Sequence, residues 1–512
     1  MKAIKRRREG GYDGVWRREC IEHIVPYIHS SITLFSFLQA LPLDTLGLPL
    51  QSLLALFQSS FNIHHLWPRL VLEPMDTVDT NQIRLLRQAA VLFPYVDVSG
   101  LWDLGILRQC VSPSTRIHVV PEEGVTRPMR WYHDLSTFCV TSIIVDDFYG
   151  GFDVPGNFVL SLERFTSLCH LELKCMTWLT EFEQDVLFAS LATCPIETLH
   201  IEQPRWELTA SNVARLADWL LDSTRAMELT LDSCSVNPLD SAALVSAVMS
   251  SPTLQALRIF NGTLGQAFCT MTHLPARLHT IVLNDSLLSA SCMRLKSVWL
   301  SSESLVKIRL DSNPLRDEGI TLLAKALFVV ASSARLKELS VTSAGIGPDG
   351  GAALAAVLPF ACLTSLVLSF NAMGDVGGIA LASALPRCHH LTTLALRRLA
   401  LTDEGLVALV SALPMCPSLR SVDLSDNLAT YVGATQLVDV LPRCHHVTDL
   451  SLGDNPLEAR GVQTILRALP TCVKRMKIDL SVEMAFSDRR PCMELANVLG
   501  VANQVYLGYS MY

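Results

Sequence analysis

The chain has 512 residues, half of them apolar, and 41 Lys and Arg against 49 Asp and Glu give it a formal net charge of -8. That balance argues against general nucleic-acid binding, which needs basic surface to neutralise phosphates. Residues 350–374 carry no charge and are long enough to raise a membrane span, but Pro359 interrupts them and a repeat register runs straight through, so no membrane segment is expected.

At the start, Lys5, Arg6, Arg7 and Arg8 are followed by Glu9, Gly10, Gly11 and Tyr12, with no apolar run that would mark a secretory leader. Residues 1–19 therefore read as a basic, flexible terminus, either simply solvated or serving nuclear import. Fifteen cysteines without a leader point to a reducing compartment, cytoplasmic or nuclear.

Residues 20–72 have a helical texture. Ile21, Ile24, Val25 and Ile28 fall on one helical face, and Leu34, Phe35, Phe37 and Leu38 form a second apolar cluster. Two or three short helices are predicted, closed by Leu66, Trp67, Pro68, Arg69 and Leu70. The segment resembles a divergent F-box, a small helical module that docks on the Skp adaptor of cullin-type ubiquitin ligases. It departs from that pattern in lacking an opening Leu-Pro pair and a central tryptophan within LPLDTLGLPLQSL. The resemblance implies adaptor contacts by Ile24, Val25, Ile28, Leu34, Phe35, Leu38 and Trp67. The alternative is a plain helical cap that shields the first repeat from water, which solenoids require in any case.

Between residues 73 and 165 periodicity is weak. Strand candidates occur at 95–98, 116–120 and 140–145, with turns at 121–124 and 150–156. Degenerate repeats are the preferred reading, an independent subdomain the second.

From residue 305 the chain repeats LxxLxLxxN. Units begin at Leu305, Leu336, Leu363, Leu391, Leu419, Val447 and Val473, so the period is 26 to 31 residues, and Asn313, Asn371, Asn427 and Asn455 hold the ninth place. Ala344 and Leu399 replace the asparagine in two units. Alternation such as Leu391, Leu394, Leu396 marks a short strand with one apolar face that only stacked neighbours can bury. The asparagine falls where the backbone turns away, and its amide can satisfy backbone groups hidden by stacking.

A glycine recurs fourteen residues into each of the first six units, at Gly319, Gly350, Gly377, Gly405, Gly433 and Gly461. In the cleanest unit Thr402 is a helix cap, and Leu406, Leu409, Val410 and Leu413 give an amphipathic helix. Pro359, Pro386, Pro414, Pro442 and Pro470 then end the helices. Cys388, Cys416, Cys444 and Cys472 each follow such a proline by two residues and read as small buried residues of a turn. The pairs His389, His390 and His445, His446 lie two units apart, roughly 10 Å, too far for one metal ion to bridge.

This grammar is similar to leucine-rich repeat proteins of the long, ribonuclease-inhibitor type. The resemblance is specific over residues 305–480. Weaker units begin at Leu168, Ile196, Ala226 (with Cys234 in the asparagine place), Leu254 and Leu278, which extends the repeats over 166–512, with a C-terminal cap from about 473. It implies an α/β solenoid, a curved parallel sheet inside and helices outside, behind a small all-α N-terminal segment. About twelve strands would make a row roughly 50 to 60 Å long, suited to a protein partner rather than a small molecule.

Residues alternating with the leucines face the open inner surface. Arg309, Phe370, Arg397 and Arg398 are read as a basic and aromatic middle of that concave face. Asp423, Asp426, Asp449 and Asp454 form an acidic stretch toward the end. No phosphate-binding loop, GxSxG elbow or clustered Cys-His spacing is present, so neither catalysis nor a metal or other cofactor is expected. The expected role is non-catalytic: a horseshoe that binds a protein target, as the substrate-recognition subunit of a cullin-type ubiquitin ligase. A plain scaffold is the alternative. So is a GTPase activator, since Ran GTPase-activating proteins share the repeat type, though none of their catalytic positions can be aligned here.

Overall fold

The computed structural model describes residues 18–59, 61–73, 79–100, 103–120, 128–146, 155–174, 179–222, 225–293, 297–300, 302–329, 335–472, 476–482 and 486–508. The basic run at 5–8, the turn at 121–124 and most of that at 150–156 lie outside them, as does Val473. The chain divides into two compact units, Met1–Gln203 and Pro204–Tyr512.

The first unit opens with helices Arg18–Ile24, Ser31–Gln39, Leu48–Phe57 and Ile63–Leu66. Ser30 and Asn62 cap two of them, their side-chain oxygens accepting from the Thr33 and His64 N–H groups. Ile21, Leu34, Leu38, Leu50, Leu53 and Leu56 are fully enclosed. Burying such side chains contributes about 1.5–3 kcal/mol each, which is what holds helices too short to persist alone. Parallel strands follow: β1 (Leu70–Leu72), β2 (Val96–Ser99), β3 (Ile117–Val120), β4 (Val140–Asp146), β5 (His170–Lys174) and β6 (Thr198–Leu208). Leu70, Val96, Ile117 and Val140 stand opposite one another, and a bulge between Ile117 and His118 shifts the register toward β4.

In the second unit each strand again pairs in parallel with the next. The strands are β7 (Glu228–Val236), β8 (Ala256–Phe260), β9 (Thr280–Asn284), β10 (Lys307–Arg309), β11 (Glu338–Ser340) and β12 (Ser365–Val367). They continue as β13 (Thr393–Ala395), β14 (Ser421–Asp423), β15 (Asp449–Ser451), β16 (Lys477–Asp479) and β17 (Val505–Tyr506). Ile281, Ile308, Leu339, Leu366, Leu394, Val422, Leu450 and Ile478 form one buried row. That row corrects the last expected repeat. Ile478 stands opposite Leu450, so the unit keeps a 28-residue spacing and starts two residues after Val473.

The asparagines do more than close their own turns. The Asn427 amide nitrogen donates to the carbonyls of Leu396, Leu424 and Ser425, while its oxygen accepts from the N–H groups of Leu399 and Leu401 in the preceding unit. Asn313 and Asn371 repeat this five-bond pattern, and Asn455 makes four of the bonds. The unit that carries Leu399 instead of asparagine is thus served by its successor.

The glycine register has an equally local cause. Asp375, at the start of helix Gly374–Ala384, accepts from the N–H groups of Thr402 and Gly405 in the next unit, and from the Thr402 hydroxyl. A Cβ on Gly405 would land on the Asp375 carboxylate. Asp317 and Asp403 crowd Gly350 and Gly433 in the same way. Thr402 caps helix Asp403–Ala412, whose Leu406, Leu409 and Val410 are buried. The prolines do not merely stop the helices; each sits at the start of a 3-10 turn such as Leu413–Met415, where its missing N–H costs nothing.

The cysteines after those turns are thiols. Those of Cys388, Cys416, Cys444 and Cys472 donate to carbonyls four residues earlier. Burial pushes the thiol pKa up to about 11 at Cys388, about 12 at Cys416 and about 11 at Cys444, away from the reactive thiolate. Among the described residues no helix is long and apolar enough to cross a membrane.

Candidate interaction surface

In each repeat of the second unit the strand residues between the buried leucines form the open face of the sheet. The residue just before the asparagine position then turns the chain back. At that place Ser312, Ser343, Phe370, Arg398, Asp426 and Asp454 all adopt positive φ, between 52° and 59°. Their N–H groups donate to the next unit, as Phe370 does to the Arg397 carbonyl and Arg398 to that of Ser425. The left-handed conformation is therefore imposed by the stacking.

The structure groups the expected interaction residues differently from the sequence order. Arg397 reaches Asp426 (Nε to Oδ2, 3.5 Å) and Asp454 (Nη2 to Oδ2, 3.4 Å), and Arg398 approaches Asp426 at 3.8 Å. Both guanidiniums lie over the Phe370 ring, 5.6 and 5.9 Å from its centre. Asp426 and Asp454 thus join the basic and aromatic cluster instead of continuing an acidic stretch. Arg309, on β10, is exposed but lies two strands from Phe370's repeat and stays outside the cluster.

Asp423 and Asp449 form a second zone. Together with Lys477, Asp479 and Tyr506 they line a hollow of about 410 Å³ over β14 to β17, floored by Val422, Leu450 and Ile478. Asp423 Oδ1 is engaged by the N–H of Ser425 and its hydroxyl, and Asp449 accepts from the Thr448 hydroxyl.

The adaptor candidates separate by burial. Val25, Leu34, Leu38 and Trp67 lie in the core of the helical segment. The Trp67 indole donates to the Ile28 carbonyl and its ring packs on Phe93; Phe35 is half-buried, edge-on to Phe57. Only Ile24 is well exposed, with Ile28 intermediate. The apolar surface of this segment is carried instead by Ile24, Tyr27, Ile32, Leu43 and Leu48. Core packing claims the positions four residues apart in each predicted cluster, Ile21 with Val25 and Leu34 with Leu38, and leaves their neighbours nearer the surface.

A polar cluster in the first unit was not anticipated. Glu172, 14 % exposed, meets Lys174 at 2.8 Å, His200 at 3.2 Å and His170 at 3.6 Å. Hydrogen bonds from His170 and His200, with a further one from Lys174, hold its carboxyl well below the usual carboxylate range against the opposing effect of burial. Nearby, the His118 ring stacks on Tyr95 and approaches Asp97 at 3.5 Å. The signal was present in LCHLELKC, where His170, Glu172 and Lys174 alternate with leucines. Among the described residues no group of three or more His, Cys, Asp or Glu is placed to hold a metal ion.

Comparison with known proteins finds the repeats of the second unit. A family model described as Leucine Rich repeat matches residues 333–355, 361–382, 387–410 and 443–466. The human protein named NACHT, LRR and PYD domains-containing protein 5 is 29% identical over 29% of this chain, which spans only 15% of that protein. Among solved structures, the yeast Rad7 and Elc1 complex matches at 15% identity, covering 86% of this chain and 90% of that one with a TM-score of 0.43. The leiomodin-1 actin-binding site 2 matches at 16% identity, 24% and 72% coverage and a TM-score of 0.21. The chain thus carries leucine-rich repeats within residues 333–466, and its fold is an α/β solenoid of parallel strands and helices.

Proposed function

We propose that the chain is a non-catalytic protein-binding protein whose open sheet face selects a protein target. The observation that carries this reading is the Arg397–Phe370–Arg398 cluster, since arginine and aromatic side chains dominate binding energy when a partner desolvates them. Leucine-rich repeats present extended surfaces of this kind, matched to proteins rather than to small molecules.

We further propose that residues 20–72 hold a Skp-type adaptor, which would make the chain the substrate-recognition subunit of a cullin-type ubiquitin ligase. The F-box-like sequence pattern and five exposed apolar side chains on one short helical segment support this. With Val25, Leu34, Leu38 and Trp67 enclosed, the docking contacts fall to Ile24, Tyr27, Ile32, Leu43 and Leu48. Co-precipitation of adaptor and cullin by the full chain, compared with an Ile24→Asp, Tyr27→Asp, Ile32→Asp variant, tests it. Capture lost in the variant is the expected result. No capture by the unmodified chain would reduce the segment to a cap and leave a binding scaffold.

A further inference from the structure

Beside the arginine cluster the turns that follow β11 to β14 enclose a hollow of about 680 Å³, lined by Ala372, Ala400, Phe370, Arg398, Asp426 and Leu428 among others. We propose that this hollow seats a segment of the partner protein in which a carboxylate stands next to a bulky apolar side chain. The inference rests on the protein-binding reading above and names the chemistry of the partner.

Charge is the first ground. The two carboxylates of the cluster are turned inward: Asp426 and Asp454 are 19% and 12% exposed and lie against Arg397. The Arg398 side chain is 62% exposed, and its nearest carboxylate oxygen, at 3.8 Å, is beyond hydrogen-bonding distance. The four charges thus cancel in number, but the one presented outward is a guanidinium with uncommitted donors. A guanidinium recognises a carboxylate through two parallel bonds, and that of Arg398 lies over the Phe370 ring, 5.9 Å from its centre.

Apolar surface is the second ground. Phe370 and Leu428 are both large, both exposed, and both line this hollow. Phe370 also stands where φ is 59°, a conformation that strains bulky side chains and that most other repeats fill with serine or aspartate. Folding alone gives no reason for a phenylalanine there, whereas an apolar wall beside a cation does.

The test is to pan a phage-displayed random dodecapeptide library on the full chain and measure the recovered peptides, made synthetically, on variants. Recovered sequences should carry Asp or Glu beside Leu, Ile, Phe or Trp. They should bind Arg398→Glu at least about tenfold more weakly, a difference of about 1.4 kcal/mol, and changing the acidic residue to Lys should reverse the preference. Phe370→Asn should weaken the same peptides while the melting temperature stays level or rises, which separates lost binding from misfolding. Peptides without the acidic and apolar pair, or with undiminished affinity for Arg398→Glu, overturn the assignment of this hollow. If such peptides instead fail on Asp423→Lys or Asp449→Lys, the protein-binding reading survives. Failure to enrich any peptide overturns both.

Discussion

Asn427 shows how much of the repeat depends on one side chain. Replacing it with alanine would strand the Leu396 carbonyl and two N–H groups and take one of two donors from the carbonyls of Leu424 and Ser425, all in buried surroundings. Each buried polar group left without a partner costs about 1–3 kcal/mol, so even with partial relaxation Asn427→Ala is expected to cost about 3 kcal/mol or more. A urea denaturation midpoint within error of the parent would refute that role. The asparagine was legible in the sequence because it recurs at a fixed place. What could not be read was its reach into the preceding unit, since a ninth-position label says nothing about which carbonyls lie within 3 Å.

At the level of strand and helix, local preference and packing make opposite demands at Gly405. Alanine favours a helix over glycine by about 1 kcal/mol, yet here a Cβ would displace the Asp375 carboxylate that caps the neighbouring helix. Gly405→Ala is therefore expected to destabilise by about 1–2 kcal/mol, and the Asp375→Ala, Gly405→Ala pair to lose less than the sum of the two single changes. Strict additivity in thermal melts would sink the explanation. The strands after residue 305 were evident from alternation and the helices from their caps, because each local rule agreed with the stacking. β16 was placed two residues early, since Val473 imitates a unit's first leucine and only pairing of Ile478 with Leu450 decides between them. The interaction residues were only half legible. Alternation identified what faces outward, but which carboxylates neutralise which arginines depends on side chains two units apart, as with Arg397 and Asp454.

At the scale of the whole molecule, acid should act on the polar cluster of the first unit. The Glu172 carboxyl in the first unit has a folded pKa depressed by hydrogen bonds from His170 and His200. A depressed carboxyl contributes stability above its unfolded pKa, and that contribution is lost as pH falls from there through the folded value. Below about pH 4.5, hydrogen exchange should therefore quicken in the strands around Glu172, β4 to β6. In Glu172→Gln that response to acid should shrink, and an equal response in the variant and the parent would contradict it.

The two hand-overs described for the repeats run in opposite directions. Asn427 serves the unit before it, whereas Asp375 and Asp403 serve the helix after them. No cut between neighbours is clean: severing the stack orphans amide groups where an asparagine crosses the junction, a helix start where an aspartate does, and both between the units of Leu391 and Leu419. A block of repeats can be removed or inserted without such wounds only in whole multiples of the period, and only where both new neighbours carry the matching partner. The units lacking asparagine, at Ala344 and Leu399, cannot serve a new predecessor, so the order of the repeats is as constrained as their number.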